Sequence, residues 1–232
     1  MNGFYAIAID GPSGAGKSSM ARKLAGMFQF LYVDTGAIYR TVGLAAYRAG
    51  IDWRDEAAVA ALLPKIQITM GYNEAGEQRM YLDGEDVSAD IRLPEISICA
   101  SDVAALPAVR AYLLEMQRKL ARENNVIMDG RDIGTVVLPE AELKIFLTAS
   151  APARAGRRLL ELESKGIPAS FEEVLKDIEY RDIQDSSRAA APLKAAADAV
   201  LVDTSELDFE QSLARLSELV ITRLAPEGVR AE

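Results

Sequence analysis

The chain is 232 residues long, half of them apolar and about a quarter charged, with a net charge of −9. It contains no histidine and a single cysteine, Cys99. Those absences exclude Ser-His-Asp and Cys-His nucleophile systems, His-ligated zinc or haem, multi-cysteine metal sites and an intrachain disulfide. Chemistry therefore falls to Asp, Glu, Lys, Arg, Ser, Thr and backbone groups. No apolar run reaches the ~18 residues of a spanning helix, and residues 1–4 lack the basic flank of a signal peptide. One thiol and no export signal point to a reducing cytoplasm. The acidic balance argues against bulk nucleic-acid binding.

Residues 5–10 read as an apolar strand running into a glycine-rich stretch. After it, Met20, Leu24, Met27 and Phe28 recur at helical spacing. A second strand is expected over 30–34, a helix over 36–49 stopping at Gly50, and a short helix over 55–63 before Pro64. Residues 65–92 change character. Ile66, Ile68 and Met70 alternate, and Met80-Tyr81-Leu82 runs into Asp83-Gly84, a strong hairpin signal. This predicts a small antiparallel sheet inserted into an α/β chain. Val109, Leu113, Met116 and Leu120 restore helical spacing after Pro107. Short strands follow over 126–128, ending at Asp129, and over 143–147. A helix over 151–165 stops at Gly166, and Ser170 with Glu173 forms a capping-box pattern for the next one. A last strand over 199–202 precedes a helix capped by Asp208 and Gln211, with Leu213, Leu216, Val220 and Leu224 on one face. Residues from Pro226 read as a frayed tail. Alternating strands and helices imply a mostly parallel sheet covered on both faces, in one domain with a β-rich insertion.

Gly11-Pro12-Ser13-Gly14-Ala15-Gly16-Lys17-Ser18 fits G-x-x-x-x-G-K-[ST]. Glycines let successive N–H groups point at phosphate oxygens, and the following helix adds its N-terminal dipole. Lys17 would reach the β- and γ-phosphates, Ser18 would hold Mg²⁺ through ATP, and Ser19 can add a second hydroxyl. The GTPase motifs DxxG and NKxD are absent, since no aspartate has glycine three residues on and no asparagine precedes lysine, which argues against a guanine-nucleotide switch. The length suits a small-metabolite kinase.

Arginines then become informative. Arg154, Arg157 and Arg158 share one helix face, where their mutual repulsion would be relieved by polyphosphate. On the next helix the apolar stripe Phe171, Val174, Ile178 continues through Arg181, Asp185 and Arg188. An inward face that turns from apolar to charged predicts a polar cleft. Asp129-Gly130-Arg131-Asp132 follows a buried strand, where open α/β sheets bind ligands. Asp34-Thr35-Gly36-Ala37-Ile38-Tyr39-Arg40 repeats that arrangement after the second strand.

On these residues the chain resembles the bacterial cytidylate kinases, the CMP/dCMP kinases of the nucleoside monophosphate kinase group. The segments that carry the resemblance are the phosphate loop, Asp34 to Arg40, Asp83-Gly84-Glu85-Asp86-Val87, and Asp129-Gly130-Arg131-Asp132-Ile133-Gly134-Thr135-Val136-Val137. Lys144-Ile145-Phe146-Leu147 and Ala191-Pro192-Leu193 add to them. The resemblance implies a P-loop NTPase-type three-layer α/β fold. It has a five-stranded parallel core sheet, an inserted small antiparallel sheet within a monophosphate-binding subdomain at about 36–100, and a short helical lid at about 150–167. It implies transfer from MgATP to CMP or dCMP. ATP would be held by Gly11 to Ser19, Arg154 and Arg157. CMP would be held by Thr35, Tyr39, Arg40, Ser101, Arg110, Asp129, Arg131, Asp132, Arg181, Asp185 and Arg188. Within that set Ser101, Arg110 and Asp132 would read the base, Arg181 and Asp185 the sugar, and Arg40, Arg131 and Arg188 the phosphate. The catalytic group would be Lys17, Arg131, Arg158 and Arg188. The implied partners are ATP, Mg²⁺ and CMP or dCMP, with no nucleic-acid polymer and no membrane, for a monomer. A kinase for another acceptor, such as UMP or shikimate, and a non-catalytic nucleotide-binding protein remain as alternatives.

Overall fold

The structure is a computed structural model that describes residues 3–164 and 166–224. Met1 and Asn2, Lys165 at the expected end of the 151–165 helix, and the expected frayed tail from Pro226 lie outside the described residues. Strand β1 (Ala6–Asp10) leads into α1 (Lys17–Phe28), β2 (Leu31–Asp34) into α2 (Thr35–Arg48), and α3 (Glu56–Leu62) follows. The insertion holds β3 (Ile68–Tyr72), β4 (Gln78–Leu82) and the short β5 (Glu85–Asp86). Helices α4 (Pro94–Val103) and α5 (Pro107–Glu123) return the chain to β6 (Val126–Gly130). A π-turn over Ile133–Val137 precedes β7 (Leu143–Thr148). Then come α6 (Ala151–Ser164), α7 (Phe171–Ser187), β8 (Val200–Asp203) and α8 (Phe209–Leu224).

The main sheet has the order β2-β6-β1-β7-β8. β1 pairs in parallel with β6 and β7, and β7 with β8. β1 is buried along its whole length, as expected for a central strand with helices on both faces. Its C-terminal residue, Asp10, lies opposite Gly130 of β6 and Phe146 of β7. That end of the sheet is where α/β folds bind ligands, and the phosphate loop starts there. The second sheet is antiparallel, in the order β3-β4-β5. The strand and helix bounds agree with the expectations to within a few residues. The sequence reading leaves 94–103 without an element, and α4 fills it, with Ile96, Cys99, Ala100 and Val103 buried at helical spacing.

The chain forms two compact units, Met1–Tyr32 with Glu123–Glu232, and Val33–Arg122. In the first, Ile7 and Ile9 of β1 pack with Leu24 and Phe28 of α1, Ile145 and Leu147 of β7, and Leu216 and Val220 of α8. A smaller cluster joins Ala155 of α6 to Val174 and Ile178 of α7. Both predicted caps form: Ser170 and Glu173 make the reciprocal capping box, and the side chains of Asp208 and Gln211 each accept the other's backbone N–H. In the second unit α2 and α4 approach closely at Gly43. There Trp53 Nε1 donates to Asp102 at 2.9 Å and Arg48 bridges Glu85 and Asp90. No single helix among the described residues is long and apolar enough to cross a membrane.

Candidate active site

Two glycines show how the loop between β1 and α1 depends on that residue. A Cβ on Gly11 would lie 1.9 Å from the Leu147 carbonyl oxygen, so only glycine admits that approach. Gly16, with φ 87, is the left-handed N-cap of α1. Lys17 is buried, and its Nζ donates to the Pro12 carbonyl at 2.7 Å. Burial, reinforced by the Arg131 charge, pushes its amine down to about 7 against the pull of Asp129, Asp185 and Asp10. Ser18 Oγ donates to Asp129 Oδ2 at 2.8 Å, and Tyr32 Oη donates to Oδ1 at 3.0 Å. The Arg22 guanidinium lies 5.6 Å from the Tyr32 ring centre. Of the two loop serines, Ser18 therefore faces the carboxylate at the end of β6, whereas Ser19 is exposed.

Arg131, Asp185 and Arg188 come together. Arg131 Nε donates to Asp185 Oδ2 at 2.6 Å, and Arg188 pairs with the other carboxylate oxygen. Burial pushes the Asp185 carboxyl up, but the two guanidinium groups win and hold it below the usual carboxylate range. Asp132 is buried, whereas Arg181 is exposed. Of the charged stripe expected to follow Val174 and Ile178, Asp185 is buried and Arg188 pairs with it, whereas Arg181 is exposed.

The three arginines of α6 do not converge on one point. Arg154 is buried. It donates to the Ser13 carbonyl of the phosphate loop at 2.9 Å, to the Ala149 carbonyl at 2.8 Å, and to both oxygens of Asp182. Arg157 donates to the Thr204 and Leu207 carbonyls. Arg158 is exposed and pairs with Glu161 at 2.7 Å. A helix face aligns Cα atoms, but long arginine side chains choose their own partners, and here the three guanidinium groups take separate ones.

In the second unit Asp34 caps α2 by accepting the Ala37 N–H at 2.9 Å and pairs with Arg40 at 3.0 Å. Arg40 Nε is buried without a partner among the described residues. The Asp34 backbone exchanges two bonds with the Gln78 side chain of β4, which ties the small sheet to the start of α2. Thr35 is buried in the first turn of that helix. The Arg110 guanidinium lies 5.6 Å from the Tyr39 ring centre and donates to the Ala104 carbonyl at 3.1 Å. Ser101, half-buried on α4, directly follows the Gly43 contact. The sequence reading assigned no role to Asp10, Tyr32, Gln78 or Asp182. For Asp10 a signal existed, a carboxylate closing an otherwise apolar strand. The other three pair with partners too distant in sequence for spacing to find.

A family model for cytidylate kinases matches residues 7–222, nearly the whole chain. The chain belongs to the cytidylate kinase family. A cytidylate kinase of Carboxydothermus hydrogenoformans is 49% identical over 92% of this chain and 96% of its own. One from Lactobacillus gasseri is 46% identical over 95% of both chains, and one from Syntrophotalea carbinolica is 46% identical over 96% and 94%. The family membership and the phosphate-loop geometry point to the same chemistry. The loop that carries Lys17 and the segment that carries Arg131 leave neighbouring strands at one end of one sheet.

Proposed function

We propose that the chain transfers the γ-phosphoryl group of ATP directly to CMP or dCMP, giving CDP or dCDP, in pyrimidine nucleotide metabolism. Family membership over nearly the entire chain carries this reading, and the cationic group of Lys17, Arg131 and Arg188 supports it. The transition state spreads charge over equatorial oxygens, so catalysis is positioning plus charge stabilisation. An acceptor phosphate is already anionic, and no strong base is needed. This suits a chain without histidine.

The phosphate loop from Gly11 to Ser19 takes the ATP phosphates on its backbone amides and Lys17. The Ser18 hydroxyl and the Asp129 carboxylate are hard oxygen donors and fit Mg²⁺ arriving with ATP. The ion would neutralise charge on the β- and γ-phosphates there. Arg158 acts on the transferring group, because its exposed pair with Glu161 contributes only about 0–1 kcal/mol and releases readily. Arg154 and Arg157 support ATP from behind, Arg154 by fixing the Ser13 carbonyl. Arg131 and Arg188 take the CMP phosphate, Asp185 and Arg181 the sugar, and Asp132 the base. In the second unit Arg40, whose Nε has no partner among the described residues, is assigned to the phosphate, and Arg110, Tyr39 and Ser101 to the base. The single thiol, Cys99, is buried and free, which fits a cytoplasmic setting.

An acceptor panel tests the reading. ADP release from ATP is measured with CMP, dCMP, UMP, AMP and shikimate. CMP and dCMP should give the highest kcat/KM. Preference for another acceptor, or ATP binding without ADP release, sinks it.

A further inference from the structure

Asp10 closes β1 and carries no substrate role in the assignments above, yet it is buried, with 4% of its surface exposed. Its Oδ1 accepts the Ile133 N–H and its Oδ2 the Gly134 N–H, each at 2.7 Å. Those amides directly follow Arg131 and Asp132. A carboxylate whose two oxygens meet two backbone donors is a strong, directional clamp. Gly134 is also confined from its other side. A Cβ there would lie 3.2 Å from Lys144 Cγ and Cδ, and Lys144 is itself held by Asp198 at 2.8 Å. The residue after Asp10 is Gly11, the first of the phosphate loop. One side chain therefore joins the root of the phosphate loop to the turn that carries Arg131 and Asp132.

We propose that Asp10 is a positioning residue whose carboxylate fixes the 131–134 turn relative to the phosphate loop, so that Arg131 and Asp132 meet CMP in line with the γ-phosphoryl group. This rests on the assignment of Arg131 and Asp132 to CMP. Displacing a reacting group by about 1 Å can cost on the order of a hundredfold in rate, so a clamp on this turn bears directly on turnover. Its charge is held at a cost to the fold. Burial pushes the carboxyl up to about 6, against the two amide bonds, which lower it. A folded pKa above the ordinary 3.8 means that the group's contribution to stability is present below 3.8 and lost as pH rises through 6.

Asp10→Asn keeps the shape but turns an amide N–H toward one of two backbone N–H donors. Steady-state kinetics should show KM for CMP raised about tenfold and kcat lowered, while the Kd for ATP, from a binding titration, stays within about threefold of wild type. A purely structural role would lower Tm and the active fraction and leave KM for CMP unchanged. Gly134→Ala presses on the same turn with Asp10 intact and should raise KM for CMP in the same way. It decides the question if Asp10→Asn does not fold. Asp132→Ala is the control for the site itself. Wild-type KM for CMP in folded Asp10→Asn, or in Gly134→Ala where Asp10→Asn does not fold, beside a raised KM in Asp132→Ala overturns the positioning role alone. Wild-type values in all three overturn the CMP assignment of the turn, and the positioning role with it.

Discussion

Lys17 is the residue whose chemistry depends most on its surroundings. The motif names it, but only the fold buries it and sets Arg131 close enough to push its amine down to about 7. Polyphosphate oxygens beside the amine favour its charged form and raise the pKa again. ATP binding above pH 7 should therefore take up protons. Calorimetry at pH 8 in two buffers of different ionisation heat measures this directly. Wild type should show an uptake approaching one proton per ATP at this site, and Lys17→Met should lose that component. Equal uptake by both proteins would mean that the lysine is already charged in the free protein. At the same scale Asp129 shows where residue spacing stops informing. Its carboxylate is engaged by Ser18 and Tyr32, partners that its own sequence neighbourhood does not name. A hydroxyl 111 positions away in sequence leaves no pattern for spacing to detect.

Among the elements, α2, α4 and α5 carry the side chains proposed to read the nucleotide in the second unit, and Gly43 sets how closely α2 approaches α4. Exchanging a mid-helix glycine for alanine ordinarily gains up to about 1 kcal/mol. Here the new Cβ would sit 2.9 Å from the Ala100 backbone nitrogen and 3.2 Å from Cys99 Cβ. The helices would have to part, at about 1–3 kcal/mol for overpacking. Gly43→Ala should therefore lower Tm and raise KM for CMP through the displaced Ser101. A raised Tm would show that α4 yields freely. Helix α7 was legible at this scale: its capping box follows from the Ser170-x-x-Glu173 pattern, and its apolar stripe and the buried charge at Asp185 from 3.6-residue periodicity, though Arg181 on the same expected stripe is exposed. Helix α6 was legible as a helix only. Where Arg154 and Arg157 end is decided by Asp182 and the Thr204 carbonyl, which no periodic pattern identifies, whereas Glu161 lies one helical turn on from Arg158.

For the whole molecule, substrates should act as ligands of the folded state. At a hundredfold excess over Kd, ATP should add about 2.7 kcal/mol to the unfolding free energy, raising Tm by roughly 5–10 °C for a chain of this size. Hydrogen exchange locates the effect. ATP alone should slow the amides of the phosphate loop and α1, and CMP alone those of α2 and α4. Protection of α2 and α4 by ATP alone would overturn the division of roles between the units. The sequence by itself determined the phosphate loop, the five parallel strands, the β-rich insertion and the family, because these rest on local spacing and on residues adjacent along the chain. It also determined that a chain without histidine must work with Asp, Glu, Lys, Arg, Ser, Thr and backbone groups. Tertiary structure alone decided which carboxylate meets Ser18, which arginines converge on Asp185, and that Asp10 clamps the turn after Arg131. Each of these joins side chains or amides on separate elements, and only the register of the packed strands sets their distances and hence their charges.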